Sequence, residues 1–174
     1  MPYPYILLDR DGTLIENVPY LSNWKQVKFL PGIVEDLEEL KYRNFHFGIV
    51  SNQSGIGRRL IQYKQLLEVN SHILEVLNSR GITLDFFFCC LHRPDEGCQC
   101  RKPQTGLIDK SPFADKILRP KSFMVGDSIS DIQFGINLGI RPIMVGTKDM
   151  DFSYYSLENV SSLSSLIANL DEFS

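Results

Sequence analysis

The sequence predicts an α/β fold built on a doubly wound, mainly parallel sheet. Three observations predict it. Short apolar runs without polar alternation recur along the chain, the mark of strands buried on both faces. Segments with helical spacing separate them. Polar residues cluster just past the strand ends, where an open α/β sheet places its ligand.

The elements follow in order. Tyr5 to Leu8 reads as the first strand, ending in Asp9-Arg-Asp-Gly. Residues 13 to 30 show no clear period and read as a loop or small hairpin. Pro31-Gly32 opens a helix in which Ile33, Leu37 and Leu40 recur, with Glu35, Asp36, Glu38 and Glu39 towards solvent. Phe45 to Val50 is a second strand, ending at Ser51-Asn-Gln-Ser-Gly. The apolar positions from Leu66 to Leu77 mark a helix that stops near Gly81. Phe86 to Cys90 is a third strand, followed by a cysteine-rich loop and a helix over Leu107 to Leu118. Ser122 to Val125 is a fourth strand, ending at Gly126-Asp127. Ile129 to Leu138 is helical, with Gly139 at its end, and Pro142 to Val145 is a fifth strand. Leu163 to Leu170 reads as a closing helix, and Asp151 to Ser165 as loosely organised. Right-handed crossovers then give the doubly wound order.

The 174 residues suffice for one domain, taken as 1–174. Eighteen basic against 21 acidic residues leave a net charge of −3, which argues against a broad cationic face for nucleic acid. The longest apolar run, Phe86 to Leu91, is far short of the roughly 20 residues that span a bilayer. The N-terminus lacks a signal-peptide pattern. A soluble, cytoplasmic monomer without membrane or nucleic-acid partners is expected.

The strand ends carry the chemistry. Asp9 and Asp11 are two apart, so in extended geometry they point the same way. Gly12 lets the chain turn sharply beside them. A divalent cation would relieve their repulsion, and Asp127 could complete an oxygen-rich site suited to Mg²⁺. One aspartate could attack phosphorus while the other moves the leaving group's proton. Ser51, Asn52 and Lys102 would hold phosphoryl oxygens.

Asp9-Arg-Asp-Gly-Thr13, Ser51-Asn-Gln-Ser-Gly-Ile56, Arg101-Lys-Pro103 and Gly126-Asp-Ser-Ile-Ser-Asp131 resemble, in that order, the four motifs of haloacid dehalogenase-type phosphatases. The resemblance implies a Rossmann-like core with Asp9 as nucleophile and Asp11 as acid/base. It puts Ser51 and Lys102 on the phosphoryl group. It gives Mg²⁺ to Asp9, Asp127 and the Asp11 backbone carbonyl, with Asp131 as an orienting residue. No insertion is large enough for a separate cap domain.

All four cysteines lie between Cys89 and Cys100. Cys90-x-His92 and Cys98-x-Cys100 make a tetrahedral structural zinc set, giving a zinc-stabilised loop. In a strand, Cys89 faces away from Cys90 and reads as a small core residue. Reduced thiols or a disulfide within the loop are the alternatives. His46 and His72 read as structural.

This zinc loop within the phosphatase motifs resembles the branch of heptose 1,7-bisphosphate phosphatases and histidinol-phosphatases. Asn52-Gln-Ser-Gly-Ile-Gly-Arg58 and the stretch from Tyr20 to Gly32 are similar to the heptose type. The implied activity is removal of the 7-phosphate of D-glycero-D-manno-heptose 1,7-bisphosphate, in carbohydrate metabolism and heptose supply for lipopolysaccharide. Arg58 and Arg101 could meet the second phosphate. Histidinol phosphate is the alternative substrate, with Asp95 and Glu96 as an acidic patch for its cation. Ser128 stands where both types usually carry a basic residue. A non-enzymatic module using the cysteine loop as a zinc knuckle is the alternative of a different class.

Overall fold

The computed structural model describes residues 1–145, 159–160 and 163. Six strands form its sheet: β1 (Tyr5–Leu8), β2 (His46–Asn52), β3 (Leu84–Cys90), β4 (Phe123–Gly126), β5 (Arg141–Val145) and β6 (Asn159–Val160). Every pair is parallel, and the spatial order is β3-β2-β1-β4-β5-β6. The chain winds outward from β1 to β3, returns to the other side of β1, and winds outward again. β1 and β4 therefore border the point where the order reverses, and a crevice opens at their carboxyl ends.

The alternation of side chains divides each apolar run between two cores. Ile6 and Leu8 join Leu37, Leu40, Val69, Ile73 and Leu77 on one face. Tyr5 and Leu7 join Ile108, Phe134 and Leu138 on the other. The helices supply these layers: α1 (Ile33–Tyr42) and α2 (Tyr63–Ser79) on the first face, α3 (Gly106–Asp109) and α4 (Ile129–Leu138) on the second. No separate cap is present among the described residues. Residues 13–30 instead form a hairpin-like excursion, with Glu16 N–H on Lys28 O and Leu30 N–H on Leu14 O. A 3₁₀ turn at Trp24–Gln26 carries the Trp24 ring against His72 of α2, centroids 5.0 Å apart. No helix of the described residues is long and apolar enough to cross a membrane.

Three expectations are corrected. The helix expected over Leu107 to Leu118 is a single turn, Gly106–Asp109. Pro112 lacks an N–H and would clash with the preceding turn, so the helix stops before it. Asp36 is buried, not solvent-facing, because it lies three residues after Ile33 on the inward stripe of α1. β6 falls within the stretch read as loosely organised. The remainder of that stretch and the closing helix lie outside the described residues, save for Leu163, which is buried in the first core.

Candidate active site

The crevice between β1 and β4 gathers the strand-end residues into one pocket of about 280 Å³. Asp9 N–H donates to Val125 O at 2.9 Å, so the residue after β1 sits beside the end of β4. Gly12 has φ +79°, and a Cβ there would collide with the Asp127 carboxylate. Only glycine lets the loop after β1 fold this closely onto the loop after β4. Carboxylate oxygens of Asp9, Asp127 and Asp131 lie within 4.8 Å of one another. Asp9 and Asp127 both line the pocket. Hard oxygen donors in that arrangement fit Mg²⁺.

Lys102 is the central cation. It is 3% exposed, and its Nζ lies 2.8 Å from Asp9 Oδ1 and 2.6 Å from Asp131 Oδ1. It also donates to Val50 O at 2.6 Å. Burial opposes its charge, but Asp9 and Asp131 outweigh burial and hold the ammonium above its ordinary pKa. Asp131 in turn accepts from the Ser128 N–H at 3.0 Å and from the Ser128 hydroxyl, which closes the first turn of α4. Asp131 thus orients Lys102, and Ser128 orients Asp131.

Asn52 lines the pocket and also braces Lys102. Its Oδ1 accepts from Lys102 N–H at 2.9 Å and its Nδ2 donates to Lys102 O at 3.2 Å, so it places the lysine's backbone. Ser51 is 1% exposed and its Oγ accepts from Gln53 Nε2 at 2.9 Å, which leaves its O–H to donate into the pocket. α2 is capped by Gln62, so Ser51 and Asn52 serve no helix start.

The Asp11 carboxylate is turned away from the Asp9–Asp127 pair. Arg10 donates to it from Nε at 3.0 Å and from Nη2 at 3.1 Å, and Gln53 Nε2 donates at 2.7 Å. Burial pushes the Asp11 carboxyl above its ordinary value, against the pull of Arg10 and Gln53. Its side chain does not join the group of carboxylates that could hold a metal; a backbone carbonyl at Asp11 is the ligand that the family resemblance implies. Arg10 and Gln53, at 1% and 7% exposure, are the functional residues missed in the sequence. The signal was an arginine between two aspartates, which reads equally well as a surface charge.

The arginines part company. Arg101 lines the pocket, and its Nη1 is buried without a hydrogen-bond partner. Arg58 does not reach it. The turn after β2 bonds Arg58 N–H to Ser54 O and points the residue into a surface depression shared with Arg93, Pro94 and Asp95. Asp95 and Glu96 also lie outside the pocket, paired with Arg93. Residues Asn17 to Leu21, Ser54, Gly55 and Ile61 form the rim.

The cysteine loop forms a second cluster. Cys90 Sγ lies 3.6 Å from Cys98 Sγ and 3.2 Å from Cys100 Sγ, and the latter two are 3.5 Å apart. His92 Nδ1 lies 3.6 Å from Cys90 Sγ and 3.1 Å from Cys100 Sγ. A tetrahedron with 2.3 Å Zn–S bonds has edges of about 3.8 Å, so the four could hold a zinc ion. Burial works against the Cys98 thiolate. Backbone N–H groups of Cys100 and Arg101 and the neighbouring thiols outweigh it and lower the thiol to about 7, favouring the ligating form. Cys89 is not the core residue expected. At the carboxyl end of β3 its face opens towards the polar network. Asn70 Nδ2 lies 3.7 Å from its Sγ, and burial pushes the thiol up to about 11.

A doubly wound sheet with these carboxylates and this lysine at its switch point defines a haloacid dehalogenase-type fold and site. Residues 5–159 match the family described as Polynucleotide kinase 3 phosphatase. Over 150 residues the chain is 34% identical to the D-glycero-beta-D-manno-heptose-1,7-bisphosphate 7-phosphatase of Yersinia pestis, covering 81% of this chain and 80% of that protein. It is also 34% identical, over 139 residues, to the histidine biosynthesis bifunctional protein HisB of Legionella pneumophila (strain Lens). That match covers 78% of this chain but 39% of the relative, so the chain spans about two fifths of the bifunctional proteins it resembles. The crystal structure of D,D-heptose 1,7-bisphosphate phosphatase from B. bronchiseptica, complexed with magnesium and phosphate, is similar at TM-score 0.84 and 26% identity, covering 98% of this chain and 99% of that one. The chain belongs to the polynucleotide kinase 3 phosphatase family of haloacid dehalogenase-type phosphatases, on the branch of heptose bisphosphate phosphatases and histidinol-phosphatases.

Proposed function

We propose that the chain is a Mg²⁺-dependent phosphatase that removes the 7-phosphate of D-glycero-D-manno-heptose 1,7-bisphosphate, acting as one domain over residues 1–174. The observation that carries the reading is the meeting of Asp9, Lys102 and Asp127 at the switch point. Asp9 attacks phosphorus, and the bond to the leaving oxygen breaks as Asp11 gives that oxygen a proton. Asp11 then takes a proton from water as the water attacks phosphorus, which frees phosphate and restores Asp9. Lys102 fixes the nucleophile through Oδ1 and, with the Ser51 hydroxyl, meets the charge on the phosphoryl oxygens. Bound to the Asp9 and Asp127 carboxylates and the Asp11 carbonyl, Mg²⁺ would neutralise charge on the transferring group. A structural zinc at Cys90, His92, Cys98 and Cys100 would fix Arg101 and Lys102, which follow the last ligand directly.

Two facts favour the bisphosphate. Arg101 offers a buried, unpartnered N–H at the pocket for a second phosphate. Asp95 and Glu96, the acids available for a histidinol cation, are tied to Arg93 outside it. The likeness to the bifunctional histidine proteins keeps histidinol phosphate as the second reading. Measuring kcat/KM for both substrates decides between them, and a preference for histidinol phosphate overturns the first. Asp9→Asn should lower phosphate release by about 10⁴-fold or more. Near wild-type turnover would end the aspartyl-phosphate mechanism.

A further inference from the structure

Asn70 stands at the edge of the inward stripe of α2. Leu66, Val69, Ile73 and Leu77 form that stripe and are at most 2% exposed, and Asn70, beside Val69, is half-buried. An amide half-buried beside an apolar stripe is costly unless it is paired. Asn70 has partners. Its Oδ1 accepts from Arg10 Nη1 at 2.9 Å, and its Nδ2 faces Cys89 Sγ at 3.7 Å. A guanidinium has no acceptor, so the amide must present its oxygen.

Arg10 is 1% exposed and lies between the two motif aspartates. Its Nε and Nη2 reach Asp11, its Nη2 also reaches Gln53 Oε1 at 3.0 Å, and its Nη1 reaches Asn70. Asp11 and Gln53 both sit on the pocket side of the guanidinium. Asn70 is the only side-chain partner that α2 gives it among the described residues. Without that acceptor the buried Nη1 loses its side-chain partner, and the guanidinium is held from one side alone.

We propose that Asn70 is a positioning residue for the phosphoryl-transfer step: it fixes the Arg10 guanidinium, which fixes the Asp11 carboxylate against the leaving group. This rests on the reading of Asp11 as the acid that protonates the leaving oxygen. A small displacement of that carboxylate would slow proton delivery without changing how the phosphate is held.

The test uses two variants and two substrates. Asn70→Leu removes the acceptor and keeps the apolar stripe; Asn70→Asp keeps an acceptor for Nη1. One substrate is a sugar phosphate, whose alkoxide leaves poorly without a proton. The other is 4-nitrophenyl phosphate, whose phenolate leaves without much help. Asn70→Leu should lower kcat on the sugar phosphate about 10- to 100-fold with little change in KM. The loss in kcat/KM should be clearly smaller on 4-nitrophenyl phosphate, and Asn70→Asp should recover most of the activity. A folded Asn70→Leu protein with wild-type kcat, or with equal losses in kcat/KM on both substrates, overturns the proposal. If leucine unfolds the chain, Asn70→Ala takes its place under the same criteria. Asp11→Asn serves as the reference. If it keeps near wild-type turnover on the sugar phosphate, the acid assignment itself falls. If it is inactive while Asn70→Leu is not, only the Asn70 proposal falls.

Discussion

Lys102 shows how much a single side chain can hold. Its ammonium is the shared counter-ion of Asp9 and Asp131, and all three are largely out of water. Removing one partner of a buried ion pair leaves the other charges uncompensated. Lys102→Met should therefore cost about 3–5 kcal/mol of folding stability as well as activity. Urea denaturation and phosphate release measure the two effects on one sample. A variant as stable as wild type would mean that the pair is solvated or that Asp131 is protonated. Gly48 is a quieter case. A Cβ on it would run into the Phe86 ring, and that ring is locked between Phe88 and Phe113, with centroids 4.8 and 4.7 Å away. Gly48→Ala should cost about 1–3 kcal/mol by overpacking, read as a lower Tm with kinetics intact. An unchanged Tm would show that the aromatic stack yields. Neither the pairing of Lys102 with Asp9 and Asp131 nor the approach of Gly48 to Phe86 is legible in sequence, because every such pair is at least 29 positions apart. The acids at strand ends were legible, since position after an apolar run already implies the sheet edge.

The cysteine loop is an element without an apolar core of its own. Its short 3₁₀ turn, Pro94–Glu96, buries no side chain. What binds it to the sheet is Cys90 at the end of β3, the ligand cluster, and backbone bonds such as Gln53 N–H to Cys90 O at 2.7 Å. Elemental analysis should find about one zinc per chain, the capacity of a single four-ligand site. Cys98→Ser should lose that zinc and lower Tm, because metal binding and local folding are coupled. Turnover should fall with it, since the Lys102 backbone follows the last ligand. A zinc-free protein with wild-type Tm and activity would remove the structural role. Ligand spacing made this element readable, whereas periodicity failed for α3. The apolar positions from Leu107 onward do recur, but Pro112 stops a helix that pattern alone would extend. β6 is two residues long, too short for any run of side chains to announce it.

At the scale of the whole molecule, the order β3-β2-β1-β4-β5-β6 brings four separate sequence segments to one edge. Alternating apolar runs and helical stripes are enough to foresee that edge. They do not foresee what surrounds the pocket, because Arg58 and Arg101 are equivalent in sequence and only the turn after β2 separates them. The same edge bears on substrate size. The matched family is described by a polynucleotide 3-phosphatase, and a strand of nucleic acid would need cations along several phosphates. Here the net charge is −3, and the basic residues lining the pocket are Arg10, Arg101 and Lys102, of which Arg10 and Lys102 already pair with acids. That leaves Arg101 as the pocket's one uncommitted cation among the described residues. A 3′-phosphorylated oligonucleotide should therefore be a far poorer substrate than a sugar phosphate. Its binding should depend weakly on salt, with a log–log slope shallower than about −2, as expected when two phosphates or fewer are neutralised. Phosphate release from both substrates, together with a salt titration of oligonucleotide binding, measures this. Tight binding with a steep slope would place a cationic track outside the pocket and return the chain to nucleic-acid repair chemistry.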